Sequence, residues 1–154
     1  MLSPVPASRN ASPFCALRTG AAIFHERFEG AEAVKDRYFL VITDASPAFD
    51  CFTTTTQSHA DRIAGLSSEY CEILEGECVL PKRCFVDLRS VYAFDDIHLS
   101  SWLRSGRVRH LGDLPSEILA RILSALKGSR ALSRRKKAYL ECFLNAALSG
   151  DADR

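Results

Sequence analysis

The chain has 154 residues, a length that suits one domain able to bury roughly two thirds of its unfolded surface. Hydrophobic residues make up 47% and charged residues 25%, which is typical of a soluble globular protein, and no apolar run approaches the roughly 18 residues of a membrane span. The formal net charge is +1, so any binding of anions such as nucleic acid must depend on a local patch of the surface.

Residues 1–17 are predicted to form a flexible tail before the folded domain. They contain Pro4, Pro6 and Pro13, which break any amphipathic helix. They also lack a charged segment followed by an apolar block, so a secretory signal is not expected.

The following part of the chain predicts short β-strands joined by polar turns. The first strand covers residues 20–28, and the nearly all-apolar residues 38–43 predict a central strand buried on both faces. Residues 44–47 have the composition of a turn, so residues 49–54 should return as an antiparallel partner. Loops are expected at 29–36 and 57–68, and further short strands at 69–74, 91–94 and 107–111. Residues 78–80 and 84–88 are apolar pieces interrupted by Pro81-Lys82-Arg83.

A helix is predicted to begin near Asp113 and to end at Gly128. Asp113 is a candidate N-cap, Pro115 is tolerated in a first turn, and Glu117 suits the positive end of the helix dipole. A single helical turn is also expected earlier, at residues 98–103.

A second helix is predicted at residues 133–148, and it contains the basic run Arg134-Arg135-Lys136-Lys137. This run suits either a solvated face or a contact with nucleic acid or an acidic partner. About six strands followed by two helices indicate an α+β fold, with a small, strongly bent antiparallel sheet or β-barrel and C-terminal helices.

The cysteines show no CxxC pair, and several lie in apolar strand-like runs. We interpret them as buried thiols in a reducing cytoplasm rather than as disulfides or zinc ligands. They are Cys15, Cys51, Cys71, Cys78, Cys84 and Cys142. The four histidines show no ligand spacing, so neither a metal nor another cofactor is predicted.

Arg37 and the threonines Thr53 to Thr56 are the polar residues that can be interpreted in two ways. Arg37 precedes the central apolar strand, and the threonines end the next one. Threonine favours strands and an arginine can mark a strand edge, so both features can be purely structural. Alternatively, the arginine offers a fork of donors to a phosphate, and the hydroxyls line the same pocket.

The order of four segments resembles the MazF/PemK family of toxin endoribonucleases. That family has a glycine-led first strand, a long loop, and a basic residue and an arginine-proline pair opening the second strand. Its third strand ends in Thr-Thr-Gln-Ser or similar, and an Ile/Leu-Gly and a short spacer precede a helix. The corresponding segments here are residues 20–28, Lys35-Asp36-Arg37, residues 52–58 and residues 111–119. Their order and spacing agree over residues 18–127.

The resemblance implies an SH3-like barrel with its terminal helix over residues 18–128, followed by an extra basic helix at residues 129–150. It implies Arg37 and Thr55 as catalytic residues that cleave single-stranded RNA by attack of its own 2′-hydroxyl, without a metal ion. It also implies a homodimer, a cognate antitoxin and a cytoplasmic location. The expected substrate-binding residues are Lys35, Tyr38, Thr56, Gln57, Ser58 and His59.

Two other hypotheses remain open from the sequence. The first is a non-catalytic SH3-like module that uses the same groove to bind nucleic acid or a protein partner, with the basic helix as a docking surface. The second is a divergent family member that has lost its activity.

Overall fold

The structure is a computed structural model that describes residues 16–29, 34–45, 48–56 and 69–152. These residues form an α+β fold with one six-stranded antiparallel sheet and three helices. The strands are β1 (Ala21–Glu29), β2 (Val34–Val41), β3 (Ala48–Thr55), β4 (Tyr70–Ile73), β5 (Cys84–Asp95) and β6 (Val108–Asp113). The helices are α1 (Asp96–Ser105), α2 (Ser116–Gly128) and α3 (Arg134–Ala152).

The sheet is open in the part of the chain that the structure describes. Its strand order is β4-β5-β3-β2-β1-β6, so β4 and β6 are edges that do not pair with each other. The predicted α+β class and the antiparallel pairing of β2 with β3 are therefore confirmed, whereas closure into a barrel is not present. On the β4 edge, Arg121 of α2 donates a hydrogen bond to the Glu72 carbonyl at 3.2 Å.

Several predicted element boundaries are wrong. The apolar piece at 84–88 and the predicted strand at 91–94 belong to one strand, β5, because a register shift against β3 absorbs the residues between them. Residues 78–80 form bends, and the predicted loop at 29–36 is shorter because β1 continues to Glu29 and β2 begins at Val34. The single turn predicted at 98–103 is the ten-residue helix α1, whose N-cap Asp95 accepts from the backbone N–H of Ile97.

Side chains from the two faces of the sheet pack into two cores. The α2/α3 face carries Leu40 and Phe52, which pack with Ile122 of α2 and with Leu140 and Leu144 of α3. Because these α3 leucines are fully buried, α3 completes the main core and is not an appendage.

The opposite face, here called the α1 face, holds the second core. Ile23, Phe39 and Cys51 from the sheet pack there with Leu99 of α1. Leu17, the last residue of the predicted tail, is also buried in this core, while residues 1–15 lie outside the described residues.

Two residues of the basic run have structural partners. Lys136 Nζ donates to Asp50 Oδ2 at 2.8 Å, and only 10% of the Asp50 side chain is exposed. Lys137 Nζ donates to the carbonyls of Lys127 and Ser129, at 3.0 and 2.7 Å, and so stabilises the C-terminal end of α2. Half of this run therefore fixes α3 against the rest of the fold.

We expect Lys136→Met to lower the free energy of unfolding by about 1–2 kcal/mol, because the mostly buried Asp50 carboxylate loses its charged donor. Urea unfolding monitored by circular dichroism measures this change. The control is Arg135→Met on the same helix turn, since Arg135 is exposed and forms no ion pair with a described residue. Equal effects of the two substitutions would contradict the assignment.

The five described cysteines form no disulfide with one another, and Cys51, Cys71 and Cys84 are buried as predicted. Burial raises the pKa of Cys71 and Cys84 to about 11, so both thiols stay protonated and unreactive at neutral pH. The prediction is wrong for Cys142, which is exposed, and holds only in part for Cys78, which is partly buried. None of the described helices combines the length and the apolar character needed to cross a membrane.

Candidate functional site

Arg37 of β2 and Thr55 of β3 lie on the α1 face, near the point where these two strands stop pairing. The backbone ladder between them ends at the pair Phe39–Thr53, and Thr53 Oγ1 donates to the Tyr38 carbonyl at 3.2 Å. Alternation along each strand then places Arg37 and Thr55 on the same face as Phe39 and Thr53.

Both strands remain regular beyond this point because each pairs with its other neighbour. Arg37 is opposite His25 of β1, and Thr55 is opposite Phe85 of β5. Among the described residues, the pairing of β2 with β3 does not continue beyond Phe39–Thr53 to Arg37 and Thr55. Arg37 and Thr55 therefore lie on adjacent strands, at positions that would be opposite each other if the pairing of β2 with β3 continued past Phe39–Thr53.

Arg37 lacks an anionic partner among the described residues. Its Nε is buried without a hydrogen-bond partner in the described part of the chain, although the side chain as a whole is half-buried. By contrast, Arg83 pairs with Glu72, and Arg89 forms two hydrogen bonds to Asp87, at 3.0 and 3.1 Å. A guanidinium without an anionic partner can bind an external anion, and carboxylates and phosphates are the anions that fit its paired donors.

The other predicted site residues are only partly brought together. Lys35 is exposed, and strand alternation places it on the α1 face, two residues before Arg37. Thr56 is also exposed, and it directly follows the end of β3. Tyr38 lies on the α2/α3 face, with its ring centroid 5.1 Å from that of Phe24, so it is not beside Arg37. Three residues fall outside the described residues: Gln57, Ser58 and His59.

Phe85 is a candidate site residue that the sequence interpretation missed. It is half-exposed, it lies opposite Thr55, and the Arg83 guanidinium carbon is 5.2 Å from its ring centroid. An exposed ring beside a phosphate contact can stack an unpaired base. A pattern in the sequence could have indicated it, because buried residues alternate with more exposed ones from Cys84 to Arg89.

His25, opposite Arg37, is enclosed by aromatic rings. Only 2% of it is exposed, and its ring centroid lies 4.9 Å from that of Trp102 and 5.3 Å from that of Phe28. Burial is the main cause that lowers the pKa of His25. The hydrogen bond to the Glu26 carbonyl raises the pKa in part, and the positive charge of Arg107 lowers it by a smaller amount. The neutral imidazole donates from Nδ1 to this carbonyl at 3.1 Å, so His25 supports the core and does not contact substrate.

The lowered pKa of His25 predicts a loss of stability as the pH falls. The unfolded chain takes up a proton near the ordinary pKa of about 6.5, while the folded state does so only at lower pH, so stability is present above 6.5 and declines below it. We expect His25→Phe to lose less stability than the wild type as the pH falls. The measurement is the urea midpoint of unfolding at pH 7.5, 6.5 and 5.5. His98→Gln is the comparison variant, because His98 is an exposed histidine on α1 and is not enclosed by the sheet as His25 is. Identical profiles for His25→Phe and the wild type would contradict the assignment.

No protein-family model matches the chain, and no curated protein matches it at a significant level. The described residues contain no group of three or more His, Cys, Asp or Glu side chains arranged to hold a metal ion.

Proposed function

We propose that this protein is the toxin component of a toxin–antitoxin system, a metal-independent endoribonuclease of the MazF/PemK type that cleaves single-stranded RNA. The observation that supports the proposal is the placement of Arg37, with a buried and unpartnered Nε, on the same face as Thr55 where β2 and β3 separate. The proposal includes an SH3-like arrangement of the sheet, which the consecutive antiparallel pairing of β1, β2 and β3 favours.

RNA supplies its own nucleophile, so the protein needs to orient a phosphate and stabilise its charge. The 2′-oxygen forms a bond to phosphorus and loses its proton, while the bond from phosphorus to the 5′-oxygen breaks and that oxygen gains a proton. The products are a 2′,3′-cyclic phosphate and a 5′-hydroxyl. This step needs no metal ion and no other cofactor.

In this proposal Arg37 and Thr55 contact the reacting phosphate. The Arg37 guanidinium donates two parallel hydrogen bonds to non-bridging oxygens, where negative charge increases in the transition state. The Thr55 hydroxyl donates to the same phosphate from the neighbouring strand. Arginine stays protonated at ordinary pH and His25 is enclosed, so both site residues act by orientation and charge stabilisation rather than as a general base.

The surface around the pair suits an extended RNA strand. Lys35 adds a positive charge on the same face, and the half-exposed ring of Phe85 lies beside Thr55 for base stacking. An inhibitory antitoxin would place a carboxylate against Arg37 and so compete with the phosphate. Assembly as a homodimer in the cytoplasm is part of the same proposal.

The test is cleavage of end-labelled single-stranded RNA by the purified protein in EDTA, with analysis of the product ends. We expect the wild type to produce cyclic phosphate ends and Thr55→Val to be roughly 10- to 100-fold slower, the worth of one hydrogen bond to a charged group. Thr54→Val is the matched control, because Thr54 lies next to Thr55 but contacts buried Cys84 on the opposite face.

Two results would reject parts of the proposal. Equal rates for the wild type and Thr55→Val would reject the assignment of Thr55 to the site. An inactive wild type that still binds the RNA, measured by fluorescence anisotropy, would reject the ribonuclease and favour the non-catalytic binding module.

A further inference from the structure

The Arg83 side chain lies over the Phe85 ring and is held there by an acidic residue. Its guanidinium carbon is 5.2 Å from the centroid of that ring, and its Nε donates to Glu72 Oε2. The Arg83 and Glu72 side chains are 36% and 40% exposed, and Phe85 is half-exposed. The ion pair therefore holds an accessible guanidinium against an accessible ring.

Arg89 repeats this arrangement on the same two strands. Its guanidinium carbon is 5.2 Å from the ring centroid of Tyr70. Its Nε and Nη2 donate to Oδ1 and Oδ2 of Asp87, at 3.1 and 3.0 Å, and this pair of bonds fixes the plane of the group. The two groups, Arg83 over Phe85 and Arg89 over Tyr70, are here called the arginine–ring units.

Strand pairing places the first unit directly beside Thr55. Thr55 of β3 is the Cα partner of Phe85, and Phe85 is in turn the partner of Glu72 on β4. Because neighbouring strands lie roughly 5 Å apart, the ring is one strand away from Thr55 and the carboxylate is two strands away. Val86, the next residue of β5, is buried in the α2/α3 core, so alternation turns Phe85 to the α1 face, where Arg37 also lies.

The second unit lies one step further along β5 and β4. Asp87 is the Cα partner of Tyr70, and it lies two residues beyond Phe85, which is roughly 7 Å along the strand. Cys71, which follows Tyr70, is buried in the α2/α3 core, so Tyr70 also faces the α1 side of the sheet. Both rings therefore lie on one face, and β3 separates them from Arg37 on β2.

The charge of the two units differs from that of Arg37. Arg83 and Arg89 are each neutralised by a carboxylate, whereas Arg37 has no anionic partner among the described residues. A phosphate at either unit would meet this carboxylate, so the two arginines are poor contacts for the RNA backbone. A planar guanidinium held over a ring instead offers a surface on which an unpaired base stacks.

We infer that the two arginine–ring units form a base-stacking platform for single-stranded RNA. The inference rests on the proposed function, which puts the reacting phosphate at Arg37 and Thr55. The backbone then contacts β2 and β3, while the bases of the adjoining nucleotides lie over β5 and β4. Such a platform accepts every base, because each base has a flat π face and stacking does not read its hydrogen-bonding edges. Glu72 and Asp87 act as positioning residues that keep the guanidinium groups over the rings.

The test is fluorescence anisotropy of the full chain with a labelled single-stranded RNA. The probe carries 2′-O-methyl groups throughout, so it lacks the attacking hydroxyl and is not cleaved. A second probe has the same sugar–phosphate chain without bases. We expect the wild type to bind the base-bearing strand at least tenfold more tightly, because each stacked base strengthens binding roughly 5- to 100-fold.

Two substitutions remove the stacking surface and leave the charge unchanged. Arg83→Lys loses the planar group and Phe85→Leu loses the ring, so each should weaken binding of the base-bearing strand about fivefold or more and leave the abasic strand unchanged. The matched control is Arg109→Lys, because Arg109 also lies over a ring, that of Phe24 at 4.8 Å, but on the α2/α3 face beside Tyr38. Melting curves show whether each variant is folded.

Three results would overturn the inference. They are a wild type that binds both strands equally or binds neither, an equal loss for both strands in Arg83→Lys, and unchanged binding in the folded Arg83→Lys and Phe85→Leu variants. Cleavage of unmodified RNA separates this test from that of the proposed function. A protein that prefers the base-bearing strand and cleaves no RNA would support the platform and reject the ribonuclease. Cleavage without this preference would reject the platform and leave the ribonuclease standing.

Discussion

Replacing Arg37 with glutamine is expected to slow RNA cleavage about 10²–10³-fold, the usual cost of losing one charge-stabilising donor group in an active site. Glutamine keeps much of the side-chain length and one N–H donor group, but it removes the positive charge and the paired donors. Arg37→Lys should also lose most of the activity, because an ammonium keeps the charge without the planar fork. The measurement is the single-turnover rate on end-labelled RNA at saturating enzyme.

The control for Arg37 is Arg109→Gln. Arg109 is an exposed arginine of β6 whose guanidinium carbon lies 4.8 Å from the ring centroid of Phe24, and its loss should change the cleavage rate less than twofold. Melting temperatures of both variants show whether a lost rate reflects chemistry or unfolding. A folded Arg37→Gln protein with the wild-type rate would contradict the role of Arg37.

Phe39→Ala is expected to lower the free energy of unfolding by about 3–5 kcal/mol, the range for truncating a buried aromatic side chain. Phe39 is fully buried on the α1 face, and its ring centroid lies 5.0 Å from those of Phe28 and Phe94 and 5.4 Å from that of Tyr92. Its loss would leave a cavity at the centre of these rings. In a chain of this length the melting temperature should fall by roughly 10 °C, which differential scanning calorimetry measures.

The control for Phe39 is Tyr139→Ala on α3. Tyr139 is 45% exposed and packs against Phe143 of the same helix, so its truncation should cost less than about 1 kcal/mol. A similar loss in both variants would mean that burial on the α1 face contributes little to stability. No loss in Phe39→Ala would contradict the placement of its ring in the core.

Two parts of the fold that local sequence determines were predicted correctly, although Asp113, the candidate N-cap of α2, is the last residue of β6 and Pro115 occupies the cap position. The apolar stripe with spacing of three and four residues around Ile118 and Ile122 predicted α2, and the turn composition at residues 44–47 predicted the pairing of β2 with β3. The full length of α1 was missed because its hydrophobic pattern is weak, and its start depends on the cap at Asp95.

The candidate site was predicted only as far as spacing along the chain allows. Segment order pointed to Arg37 and Thr55, and strand alternation explains why Tyr38, next to Arg37, lies on the other face. The neighbours of this pair could not be predicted in the same way. Phe85 reaches Thr55 through strand pairing across 30 positions of the chain, and Arg107 reaches the carbonyl of Arg27 across 80.

The attachment of α3 has a consequence for synthesis of the protein on the ribosome. Leu140 and Leu144 complete the core beneath the sheet, and Lys136 holds Asp50 in the strand that ends at Thr55. Because α3 follows every strand in the chain, the nascent polypeptide cannot form this core until the helix has left the exit tunnel.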